Sequence, residues 1–94
     1  MDPRLPDDLL TVLTRLDDAE EVSRLLLDLL TPHEVEALSE RWEIVKRLDR
    51  GMSQRAIRDE IGASVTTISR GSRQIKYGFG GFRLALDLLG GDDA

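Results

Sequence analysis

Between Ser53 and Lys76 the chain sets two short helical patterns around Gly62-Ala63-Ser64, and this arrangement leaves little freedom in how the segment can fold. Ile57 and Ile61 stand about one helical turn apart and mark the inward side of a first helix opened by Ser53-Gln54. Gly62 permits a tight turn, Ser64 is an N-cap for a second helix, and Val65 and Ile68 place that helix's apolar edge against the first. The spacing predicts a helix-turn-helix over about residues 53–70. Thr66, Thr67 and Ser69 are left facing out, with Arg55, Arg58 and Arg73 around them, short or cationic groups that can reach base edges and phosphates in a major groove. A plain αα-hairpin with a solvated polar face would carry the same pattern. Arg58 also stands where many helix-turn-helix units have a small residue for close packing, and we read it as reaching outward.

The rest of the chain reads as helices too. Asp7-Asp8 followed by Leu9, Leu10, Val12, Leu13 and Leu16 predicts a helix over about 6–16. Asp17 or Asp18 caps a second, with Glu20 and Glu21 in its first turn and Val22, Leu25, Leu26, Leu29 and Leu30 at helical spacing. Thr31-Pro32-His33-Glu34 has the form of a capping box with proline at the first helical position. The third helix then runs to about Arg50 through Val35, Leu38, Trp42, Val45 and Leu48, with Gly51 as its stop. After Gly78, Gly80 and Gly81 a last helix is expected over about 82–89, and then a frayed tail from Gly90 to Ala94. The fold class is all-α, about six helices in one domain over residues 1–94.

Charge bears on the choice of partner. The net charge is -5, yet residues 1–40 carry eleven acids against three bases, while 53–76 carry five bases against two acids. A local basic face is enough to engage phosphates, because the potential at the contact counts and not the total. The alternative is a helical protein-interaction module whose acidic first forty residues meet a basic partner. Chemistry on substrates is not expected. The chain has no cysteine and one histidine, His33, so thiolate metal sites and a Ser-His-Asp set are both out of reach. His33 reads as an exposed first-turn residue, and Gly78 to Gly81 as a linker, since the glycines come after a helix and lack the Lys-Ser/Thr ending of a phosphate cradle. No apolar run approaches the roughly 20 residues that span a bilayer, and the acidic N-terminus lacks the basic start of a signal peptide, so a cytoplasmic chain is expected. At 94 residues much apolar surface stays only partly covered unless a second subunit joins.

Leu30-Thr31-Pro32, Glu36-Ala37-Leu38, Arg41, Ile44-Val45, Arg50-Gly51-Met52-Ser53-Gln54-Arg55, Gly62-Ala63, Thr67-Ile68 and Arg70-Gly71-Ser72 together resemble the tryptophan operon repressor family. The likeness runs from Leu30 to Lys76, about half the chain, and the Met-Ser-Gln-Arg and Arg-Gly-Ser strings are far more specific than a generic helix-turn-helix. The resemblance implies an interlocked, all-helical homodimer that represses transcription when a small corepressor, L-tryptophan, tilts the reading heads into successive major grooves. It further implies that Arg41 and Arg70 sandwich the indole, that Arg70 also pairs the carboxylate, and that Gly71 gives the ring room. Leu30, Thr31 and the carbonyls ending the second helix would line the pocket from the other subunit. Stacking of guanidinium planes on an aromatic face and a forked contact with a carboxylate are what Arg does well. From the residues alone, Arg41 could equally be a surface ion pair in its own helix and Arg70 a phosphate contact.

The chain departs from the family pattern in several places. Gln74 stands where a small hydroxyl meets the ligand's amino group, Asp28 takes a pocket-side place that is usually apolar, and Arg50-Gly51-Met52 is one residue shorter than the usual turn. Lys76 to Leu86 is closer to shorter repressor-like proteins, so a related ligand, or a ligand-independent regulator, is also expected from the pattern. A two-fold head implies a near-palindromic operator in double-stranded DNA, read by Gln54, Arg55, Arg58 and the face from Ser64 and Val65 to Ser69, with Arg70, Arg73 and Lys76 on phosphates. Trp42, Phe79 and Phe82 are expected in a dimer core.

Overall fold

The computed structural model describes residues 4–92, of which the last two, Gly91 and Asp92, are described by backbone alone. Six helices and no strand occur among the described residues: α1 Asp7–Arg15, α2 Ala19–Leu29, α3 Pro32–Asp49, α4 Gln54–Ile61, α5 Val65–Tyr77 and α6 Gly81–Asp92. The all-α expectation holds. The last helix is longer than expected: it continues through Gly90 and Gly91 to Asp92, whereas the sequence pattern ends it at Leu89 and frays the tail from Gly90. Asp93 and Ala94, the rest of that tail, lie outside the described residues.

Internal contacts divide the chain into two compact units that meet between Val35 and Glu36. The first holds α1, α2 and the opening turn of α3. Asp18 caps α2 through the Glu20 N–H at 2.8 Å, and the Thr31 box closes in both directions, Thr31 N–H to Glu34 Oε1 at 2.8 Å and Glu34 N–H to Thr31 Oγ1 at 3.2 Å. The Thr31 N–H holds the Glu34 carboxyl below its ordinary value. Neither α1 nor α2 has a buried side chain. Their leucine faces satisfy helical spacing without finding a core.

The second unit does have one. Ile44 of α3, Ile57 of α4, Ala63 of the turn and Ile68 of α5 are buried together, and Leu48, Met52 and Ile61 pack against them. α3 ends in the two-bond glycine motif: Met52 N–H reaches Arg47 C=O at 3.1 Å, Gly51 N–H reaches Leu48 C=O at 3.0 Å, and Gly51 takes φ 87°. The shorter turn is thus fully hydrogen-bonded. Ser53 then caps α4 through the Ala56 N–H at 3.1 Å, Gly62 turns the chain at φ 75°, and Ser64 caps α5 through the Thr67 N–H at 3.1 Å. Arg47 braces α3 to α4, 2.7 Å from Glu43 and 3.3 Å from Glu60. The Glu60 contact lies off the N–H direction, so Arg47 Nε is left without a hydrogen bond. Arg83 of α6 pairs with Asp49 at 3.1 Å, and both Lys46 and Arg47 hold the Glu43 carboxyl below its usual range.

The Ser64 cap sets the first turn of α5, and its hydroxyl also meets Thr67 Oγ1 at 2.8 Å. Ser64→Ala should cost about 1 kcal/mol in urea unfolding. An unchanged midpoint would mean that water replaces the cap without loss.

Candidate nucleic-acid interface and adjoining cleft

α4 and α5, joined by Gly62-Ala63-Ser64, form the helix-turn-helix, and α5 continues past the motif to Tyr77, as the helical pattern through Ile75 to Gly78 expects. Ile57 and Ile68 are fully buried between the two helices and fix which residues remain outside. Arg55, Ser64, Val65, Thr66, Arg73 and Lys76 are exposed, whereas Thr67, Ser69 and Gln54 are half-buried. Two of these half-buried groups bind each other: Ser69 Oγ donates to Gln54 Oε1 at 3.0 Å, linking α5 to α4 across 15 residues of sequence. Arg58 is exposed, as the sequence pattern predicts, but its guanidinium is held by the neighbouring Asp59 at 3.0 and 3.2 Å. Its charge is therefore partly spent. Arg55, Arg73 and Lys76 make no ion pair among the described residues.

Beside this face a cleft of about 980 Å³ opens between α3 and α5. Arg41 and Val45 line it from α3, α5 lines it from Val65 through Arg70, Gly71, Arg73 and Gln74 to Tyr77, with Thr66, Thr67 and Ser69 of the helix-turn-helix face included, and Phe82 closes it from α6. Arg41 and Arg70 are both exposed, and neither pairs with a carboxylate among the described residues. The ion pair within α3 goes instead to Lys46 and Arg47, on Glu43. Two uncompensated guanidinium groups on facing helices can hold an anion, and their planes can cover an aromatic ring.

Gly71 borders the cleft, but a methyl there would come within 3.1 Å of Ile44 Cγ2 and 3.7 Å of Leu48 Cδ1. Its first effect is to let α5 approach α3 closely. Val65, Thr66, Thr67, Ser69 and Arg73, expected only at DNA, also border the cleft, and Val45, Tyr77 and Phe82 join it without having been expected at either site. Val45 and Tyr77 follow from helical spacing, because Val45 is one turn after Arg41 and Tyr77 two turns after Arg70.

The remaining expected ligand residues, Leu30 and Thr31, belong to the first unit, where Thr31 serves the α3 capping box. Asp28 and His33 are exposed there. In the second unit Trp42, Phe79 and Phe82 border a smaller cleft of about 400 Å³ with Gln74, Gly80, Gly81 and Ala85. Lys46 Nζ stands 6.0 Å from the centre of the Trp42 ring. Among the described residues no group of three metal-binding side chains occurs, and no helix is long and apolar enough to cross a membrane.

Known proteins match this arrangement over most of its length. The uncharacterized protein YerC of Bacillus subtilis is 38% identical over 81 residues, covering 86% of this chain and 78% of its own. The Trp operon repressor homolog of Vibrio cholerae is 45% identical over 58 residues, 61% of this chain and 56% of that protein. The crystal structure of a TrpR like protein from Eubacterium eligens superposes with a TM-score of 0.80 at 32% identity, covering 89% of this chain and 87% of that one. The family profile described as Trp repressor protein matches residues 6–89. With the helix-turn-helix in place and the match extending from α1 into α6, the chain belongs to the Trp repressor family of DNA-binding transcriptional regulators.

Proposed function

We propose that this protein is a cytoplasmic repressor that binds its operator as a homodimer, its residues 1–94 acting as one domain, and that a small-molecule corepressor, L-tryptophan or a related compound, raises its affinity for DNA. The observation that carries the ligand is the cleft: Arg41 and Arg70, on different helices, line one space with Gly71, unpaired among the described residues, next to the reading face. A ligand seated there touches α3 and α5 at once and biases how the reading helix is held, which is the differential contact that coupling requires.

The dimer is supported by what one copy leaves open. Leu10, Val12, Leu27 and Leu29 of the first two helices are exposed, and Leu84 and Leu88 of α6 are 70% and 72% exposed. Apolar surface on that scale in each unit of a small chain marks surface meant for a partner. The family resemblance assigns Leu30 and Thr31 of a second copy to the ligand. Two heads related by a two-fold axis call for half-sites about one turn of DNA apart.

The test is a titration of fluorescent promoter fragments, its own and those of tryptophan biosynthesis, with and without millimolar L-tryptophan. Tryptophan should raise affinity for one fragment at least about tenfold, or 1.4 kcal/mol of coupling, and Arg41→Ala with Arg70→Ala should abolish the difference. Specific binding that ignores tryptophan would leave a ligand-independent regulator or another ligand, as Gln74 in the cleft would suit. No duplex binding at all would favour the protein-interaction module.

A further inference from the structure

We propose that Ser69 is a positioning residue that fixes the Gln54 side chain with its carbonyl end against α5, so that Gln54 offers DNA its NH2 group alone and reads guanine in preference to adenine. This rests on the reading of α4 and α5 as the DNA-contacting face.

A glutamine amide carries one acceptor and a two-proton donor, and its usual two-bond contact with adenine needs both ends, the donor on N7 and the acceptor on the N6 amino group. Here the Ser69 hydroxyl donates to Gln54 Oε1 at 3.0 Å. Both side chains are half-buried, so the bond is sheltered from the water that would otherwise compete for it. Gln54 is the first residue of α4, a helix whose N-cap is already filled by Ser53 through the Ala56 N–H. The Gln54 amide therefore has no capping task, and Ser69 is its hydrogen-bond partner among the described residues. With the carbonyl end turned to α5, the free end is a donor. It matches the acceptor-only edge of guanine, N7 and O6, and meets the N6 amino group of adenine with like polarity.

The neighbouring polar groups do not restore the missing acceptor from longer side chains. Arg55, Arg73 and Lys76 are donors only. Thr67 is tied to the Ser64 cap at 2.8 Å.

Selection of duplexes from a randomised pool, carried out on the full chain, tests this directly. Wild type should enrich one position per half-site at which guanine exceeds adenine, and Gln54→Ala should flatten that position. Ser69→Ala frees the carbonyl and should move the ratio toward adenine by about tenfold, within the range that one bidentate contact supplies. Ser69→Thr keeps the hydroxyl and should restore the guanine preference. Thermal melts of each variant separate lost folding from changed reading. The proposal is overturned if Ser69→Ala keeps the wild-type preference at every position, or if Gln54→Ala leaves every position unchanged. If wild type enriches no duplex, the DNA-contacting face itself fails, a result distinct from either of these.

Discussion

Replacing Ile68 by alanine should remove about 3 kcal/mol of stability and leave a reading head without a cooperative unfolding transition at 37 °C. Ile68 is fully buried, as are Ile44 and Ile57, and with Ala63 these form the buried cluster that joins α3, α4, the turn and α5. Truncating a buried isoleucine loses both the transfer energy of its methyl groups and the contacts of whatever space cannot collapse. Collapse is hindered here, because Gly71 already brings α5 close enough that an added methyl would meet Ile44 at 3.1 Å. The second unit, Glu36–Ala94, is small enough that its single core commonly supplies only about 3–5 kcal/mol, so one such loss takes most of it. Urea unfolding of Ile68→Ala beside Thr66→Ala, an exposed position two residues earlier, measures the effect. Thr66→Ala should stay within about 0.5 kcal/mol of wild type. A loss for Ile68→Ala no larger than that of Thr66→Ala would mean that another part of the molecule, not this cluster, holds the head together.

That cluster is also the part of the fold most legible in the sequence. Ile57, Ile61, Gly62, Ser64 and Ile68 each obey a local rule, a turn glycine, a cap or a helical spacing, and local rules can be read one residue at a time; Val65, expected against α4 with Ile68, is instead 46% exposed and borders the cleft. Gly62 does take the left-handed conformation and Ser64 does cap α5. The glycines of α6 mislead for the opposite reason: their intrinsic preference says stop, and the helix continues through them to Asp92. Leucine periodicity marks α1 and α2 as helices, yet periodicity does not say what covers the apolar side.

The site divides in the same way. The outward positions of α5 follow from which positions are inward. The meeting of Arg41 with Arg70 across the cleft comes from resemblance, since no spacing rule connects residues on two different helices. The Ser69–Gln54 bond and the Arg47–Glu60 contact have no signal at all, being long-range pairs of polar side chains without a period.

The second large effect concerns phosphates. Removing both Arg73 and Lys76, as Arg73→Ala with Lys76→Ala, should make the dependence of log affinity on log salt shallower by about 1.8 for each bound subunit, with at least about a tenfold loss of affinity at low salt. Each phosphate neutralised by a cation releases counterions worth a slope of about 0.9, and both side chains are exposed on α5 and unpaired among the described residues. Arg58→Ala is the informative contrast. Its guanidinium already shares charge with Asp59 at 3.0 Å, so its loss should flatten the slope by clearly less than either of the other two. The pair can also be told apart from each other, because Arg73 borders the cleft and Lys76 does not. Lys76→Ala should therefore weaken every duplex alike and leave the response to a corepressor intact, whereas Arg73→Ala should alter both. Equal slopes in wild type and the double variant would take Arg73 and Lys76 off the phosphates and leave Arg70 as the α5 cation still in play. The unpaired arginine of α4, Arg55, would then be the cation to test next, because it shares the exposed face without touching the cleft.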